Sequence, residues 1–145
     1  DPVQAIRDLT RREGRYDIVR QPLAGVDFAF DCIGAPVTMK QISQAVRAGE
    51  FGQTRGGVAV LVGVPQTPLE LDSRFLFIGE RSYRASLGGS CVPGEDLPRF
   101  LQWHAEGDLD LDAMVTARYG IDDIAEAVHD LESGRIAGRA ILVFD

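Results

Sequence analysis

The stretch GGVAVLVGVP, residues 56–65, constrains the fold more than any other. From Val58 to Val64 it carries no polar side chain, it is rich in β-branched residues, and glycine and proline bound it. So short an apolar run reads as a strand covered on both faces, the pattern of a parallel sheet. Two further runs, VDFAFDCIG (26–34) and RSYRASLGG (81–89), read as its neighbours. Between the first two strands, PVTMKQISQAVRAG predicts a helix closed by Gly49, and GEDLPRFLQWHAEG predicts another ending at Gly107, with Leu97, Phe100, Leu101 and His104 on one face. IDDIAEAVHDLESG predicts a third, with Asp122 as N-cap, Gly134 past its end and Ile121, Ile124, Ala125, Val128 and Leu131 buried.

The ends follow the same logic. Asp1 and Pro2 suit a helix start with Val3, Ile6 and Leu9 on one face, and RAILVFD closes the chain as a strand. DLDLDAMVTARYG is a connection containing a short extended piece. Residues 11–25 are polar and broken by Gly14, Pro22 and Gly25, a long loop with a short strand at Tyr16–Val19. Strands alternating with helices make this an α/β chain with a doubly wound parallel sheet, expected to be one domain over residues 1–145.

Charge and composition narrow the function. A formal net charge of −7 argues against a basic surface for nucleic acid or anionic membrane, and Arg11, Arg12, Arg15 and Arg20 read as a solvated face. No apolar run approaches the ~18 residues of a membrane span. Cys32 and Cys91 form no framework, which suits a reducing cytoplasmic setting. His104 and His129 lack a second ligand at i+3 or i+4, and DLDLDA lacks the glycine and glutamate of a calcium loop, so no metal site is expected. SLGGSCVPGED lacks the spacing and lysine of a phosphate loop, no GxSxG elbow occurs, and no residue is singled out as catalytic.

In an open parallel sheet, ligands lie beyond the carboxyl ends of the strands. Here CIGAP, VGVP and SLGGS follow three successive strands, and glycine lets a ligand approach the backbone. The recurrence at three neighbouring ends points to a ligand site. Yet no GxGxxG fingerprint precedes GVDFAFDCIGAP.

The ordered set GVDFAFDCIGAPVTM, VLVGVPQTPLEL and SLGGSCVPGEDLPRFLQWH resembles the carboxyl-terminal part of zinc-type medium-chain alcohol dehydrogenases over about Gly25 to Phe144, and most resembles the actinobacterial branch linked to formaldehyde and mycothiol. The resemblance implies a partial Rossmann-like sheet lacking its first β-α-β unit and Gly-rich fingerprint, with residues 135–145 returning towards a catalytic domain. It implies NAD as cofactor, with Val62, Gly63, Val64, Ser86 and Leu87 at the nicotinamide carboxamide, Ile33 and Gly34 along the cofactor, and Arg139 at its phosphates or ribose. Zinc is expected in the full-length enzyme, with no ligands in this chain. A small alcohol or aldehyde is the implied substrate, and the third strand edge the implied homo-oligomer contact. Residues 11–24 exceed the short turn usual in this family. The chain alone is expected to be inactive.

Three alternatives remain at this point. One is a zinc-free quinone or enoyl reductase of the same superfamily. Another is a non-catalytic module for dimerisation or nucleotide binding, and the third an unrelated nucleotide binder such as a methyltransferase-like sheet.

Overall fold

The computed structural model describes residues 1–144. They form two compact units, Asp1–Cys91 and the residues from Val92 onward.

The first unit is an open parallel sheet flanked by helices. Helix α1 (Pro2–Leu9) begins where expected: the Asp1 carboxylate accepts the N–H of Val3 at 2.9 Å and of Gln4 at 3.4 Å, and Pro2 opens the first turn. Strand β1 (Phe28–Asp31) leads into α2 (Pro36–Ala45), then β2 (Val58–Leu61), α3 (Ser73–Ile78) and β3 (Ser82–Ala85). The strand order is β1-β2-β3, with both pairs parallel and Val60 aligned on Phe30 and Arg84. Ile42, Val46 and Ala59 form the core, with Val26, Ala29 and Tyr83 packed against it. Helix α2 covers one face of the central strand and buries Ala59, whereas Val58 and Val60 stay half-buried and Phe28 and Phe30 of β1 are exposed, so the cover expected on both faces is present on one.

Three local expectations change. Helix α2 ends at Ala45, because Val46 turns to extended geometry (φ −75°, ψ 139°) and drops into the core, four residues before Gly49. Residues 11–24 contain no strand. Arg12 N–H donates to the Leu23 carbonyl and Leu23 N–H to that of Arg15, leaving only an isolated Tyr16–Pro22 bridge beyond them. Asp17 turns the tip by accepting the N–H groups of Val19 and Gln21, and Pro22 has no N–H with which to extend a ladder. Helix α3 was not foreseen; its cap is Asp72, whose carboxylate accepts the Phe75 N–H at 3.0 Å.

The second unit contains α4 (Pro93–Glu106), β4 (Val115–Gly120), α5 (Ile124–Glu132) and β5 (Arg139–Val143), with β4 and β5 paired in parallel. Gly107 ends α4 in left-handed geometry. A tight turn at Ile121–Asp123 precedes α5, so Asp123 and not Asp122 stands at its cap, and its side chain makes no capping bond. The expected buried face of α5 stays open, with Ile121, Ile124, Val128 and Leu131 between 45% and 65% exposed. A two-stranded sheet offers too little surface to cover such a helix.

Candidate functional site

The site is built from the carboxyl ends of the first unit's three strands. Beyond Phe30 the chain turns on Asp31, which is only 3% exposed. One carboxylate oxygen accepts the N–H of Ile33 at 2.8 Å and of Gly34 at 3.1 Å, and the other accepts the Thr38 hydroxyl at 3.1 Å. Burial alone would raise the Asp31 pKa, but the donors from Ile33, Gly34 and Thr38 outweigh it and hold the carboxyl below its ordinary value. The Asp31 carbonyl meanwhile accepts the N–H groups of Val62 and Gly63, each at 2.8 Å. One residue therefore ties the β1 turn to the end of β2 through its side chain and its backbone together. Sequence reasoning overlooked Asp31 as a site residue; its signal was the first position of D-x-x-G.

Close backbone contact fixes the same junction. A Cβ at Gly34 would stand 2.3 Å from the Val64 carbonyl oxygen, and one at Gly63 would stand 2.4 Å from the Gly34 nitrogen. Gly34 also holds φ at +82°. These two glycines serve the mutual approach of the β1 and β2 ends. At the β3 end the space is open: nothing lies within 4 Å of a Cβ at Gly88 or Gly89. Ser86 N–H reaches back to the Leu61 carbonyl at 2.8 Å, and its hydroxyl lies 2.9 Å from that of Ser90.

Ile33, Gly34, Val62, Gly63 and Val64 thus come together at adjoining ends of β1 and β2, and Ser86 and Leu87 follow β3 beside them. Ile33, Val64 and Leu87 project into solvent at 70%, 68% and 90% exposure. A cleft of about 550 Å³, lined by Phe28, Phe30, Ile33, Ile42 and residues of α1, runs along β1 to this end. Arg139 stands on the second unit as the first residue of β5, exposed, its guanidinium 3.4 Å from the Gly138 carbonyl.

Residues 6–142 match the family described as zinc-binding dehydrogenase. The chain belongs to this zinc-binding dehydrogenase family. Among similar proteins, the class-3 alcohol dehydrogenase of Caenorhabditis elegans is 30% identical over 129 residues, which are 88% of this chain and 32% of that protein. The S-(hydroxymethyl)glutathione dehydrogenase of Paracoccus denitrificans is 25% identical over 141 residues, 97% of this chain and 34% of that protein. The crystal structure of benzyl alcohol dehydrogenase from Acinetobacter calcoaceticus superposes with a TM-score of 0.75 at 28% identity, covering 100% of this chain and 35% of that one. The chain spans about a third of the length of these relatives.

The site fits the family's two implied groups differently. Open glycine backbone at Gly88 and Gly89, exposed apolar side chains at Ile33 and Val64 and converging strand ends suit a flat nucleotide. For zinc, no three His, Cys, Asp or Glu side chains gather as a metal site among the described residues, so these side chains do not fit a metal ion. No helix among the described residues is long and apolar enough to cross a membrane.

Proposed function

We propose that this chain forms the nicotinamide-side wall of the cofactor site in an NAD-dependent alcohol or aldehyde dehydrogenase, as the carboxyl-terminal third of such an enzyme. The observation that carries the reading is the Asp31-tied junction of β1 and β2 beside the open glycine turn after β3, in a chain of this family. NAD, when bound, would supply the hydride acceptor for oxidation of the alcohol carbon, the hydroxyl proton going to solvent. The chain's own residues bind and orient. Backbone groups of Val62, Gly63 and Val64, with those of Ser86 and Leu87, face the neutral carboxamide, and Ile33 and Gly34 pack along the cofactor.

The named activities of the Caenorhabditis and Paracoccus relatives favour alcohols, including hydroxymethyl thiol adducts, over quinones or enoyl thioesters as substrates. β3, one of the two outer strands of the three-stranded sheet, with Phe77 83% exposed on the preceding helix, is the edge we assign to a second copy. The test is an assay of the intact protein with NAD, primary alcohols and hydroxymethyl thiol adducts, read as NADH absorbance. Alcohol-dependent NADH formation is the expected result. Turnover of quinones or enoyl thioesters with no alcohol oxidation would overturn it.

A further inference from the structure

The first unit holds a second cavity, at the amino end of its sheet. It is about 240 Å³ in volume and is lined by Arg7 of α1, Arg74 of α3, Arg81, Asp17 and Asp72. Arg81 immediately precedes β3, so the cavity lies at the end of that strand opposite the cofactor wall. Pockets for drug-sized ligands run to roughly 300–1,000 Å³, and this one has room for a small ion or group only.

Three guanidinium groups border the cavity, and none makes an ion pair among the described residues. Arg81 is already ordered. Its Nε donates to the Val46 carbonyl at 3.0 Å and its Nη1 to the Phe75 carbonyl at 2.8 Å, while the guanidinium stacks 3.7 Å over the Phe75 ring. Its Nη2 has no partner among the described residues. Arg7 makes a single long bond, 3.5 Å from Nη1 to the Gln44 carbonyl, and the exposed Arg74 makes none.

The two aspartates do not cancel this charge. Asp17 Oδ1 accepts the N–H groups of Val19 and Gln21, and Asp72 Oδ1 accepts that of Phe75, so each commits an oxygen to its own turn. Three arginines against two carboxylates leave a local positive excess in a chain of net charge −7. Burial and the nearby charge of Arg7 push the Arg81 guanidinium down to about 10, against an opposing pull from Asp17. The protein itself leaves the cluster uncompensated.

We propose that this cavity binds a small oxyanion, a phosphate or carboxylate group, through the free N–H donors of Arg7, Arg74 and Arg81. A guanidinium matches the paired oxygens of such a group, and the ordered Arg81 loses little freedom on binding it. Asp17 and Asp72 limit the charge of the ligand, since a polyphosphate would meet both carboxylates. The site stands independently of the cofactor wall.

The test titrates inorganic phosphate and acetate separately into the intact protein at constant ionic strength, with binding read by calorimetry and by the shift in Tm. One-to-one binding of either anion is expected, and saturating NAD should leave it unchanged. Arg7→Gln and Arg74→Gln should each weaken it by about tenfold or more, the range for a lost charge-assisted bond. Arg74→Gln breaks no internal bond and serves should Arg7→Gln fail to fold. Arg11→Gln removes an equal charge from an exposed residue outside the lining and should change affinity by less than about twofold. Asp17→Asn keeps the acceptor of its turn and removes a like charge, so it should tighten binding by roughly threefold or more. A merely structural role for the arginines would not produce that gain.

No binding of either anion would overturn the proposal. So would equal losses in Arg7→Gln, Arg74→Gln and Arg11→Gln, which would mean attraction to general surface charge. Binding that survives both lining variants and is displaced by NAD would put the anion at the cofactor wall instead, and would overturn it as well.

Discussion

Replacing Gly34 by alanine strikes the junction on which the site is built. The new methyl would sit 2.3 Å from the Val64 carbonyl oxygen and 2.6 Å from its carbon, both backbone atoms that cannot rotate away. Forcing such an atom into a packed junction costs about 1–3 kcal/mol. Holding alanine at φ +82° adds about 1–2 kcal/mol of left-handed strain. Together they come to about 2–5 kcal/mol, a large share of the 5–15 kcal/mol typical of a domain's stability. Gly88 supplies the control, since its φ of +55° carries the strain but nothing lies within 4 Å of a Cβ. Urea denaturation of the two variants should therefore give a loss of about 1–2 kcal/mol for Gly88→Ala and clearly more for Gly34→Ala. A Gly34→Ala protein within about 0.5 kcal/mol of wild type, or no costlier than Gly88→Ala, would refute the claim that the β1 and β2 ends interlock.

Three further outcomes follow from Asp31 and Tyr119. Asp31→Ala leaves the Ile33 and Gly34 N–H groups and the Thr38 hydroxyl without this acceptor and should cost about 2–4 kcal/mol, whereas Asp31→Asn keeps the oxygen serving both N–H groups and should cost about 1 kcal/mol, both read by urea midpoints. Because the folded pKa of Asp31 is lowered, its stabilisation is complete above its unfolded value near 3.9 and is lost as pH falls through the folded value; the acid limb of a pH–stability curve should flatten in Asp31→Asn. Tyr119 has a raised pKa, chiefly from its hydrogen bond to Asp130, so its contribution is present below about pH 10 and disappears as pH climbs through the folded value; Tyr119→Phe should remove that share of the alkaline loss in thermal melts.

The fold was legible where local chemistry and burial agree. Val58–Val64 carries a strand's composition and its first four residues, Val58–Leu61, form the middle strand, while Asp1 and Pro2 carry a helix start that needs no tertiary help. Where tertiary packing overrides local signals, the reading slipped. Val46 leaves α2 because the core takes it, a choice that no residue near Gly49 announces. Helix α3 is six residues long, too short for a periodic pattern, and only Asp72 marks it. The glycines at the strand ends were visible as a set, but their division of labour was not. Gly34 and Gly63 face each other's backbone and Gly88 faces open space, a difference that depends on register between strands. Asp31 escaped notice for a similar reason, since its importance lies in three donors that only the folded turn assembles.

Amide hydrogen exchange of the intact protein, followed by mass spectrometry with and without saturating NAD, tests the cofactor wall most directly. Slowed exchange is expected at residues 31–34, 62–64 and 86–90 together, the ends of β1, β2 and β3. NAD binding that leaves all three segments unchanged while protecting others would contradict the assignment.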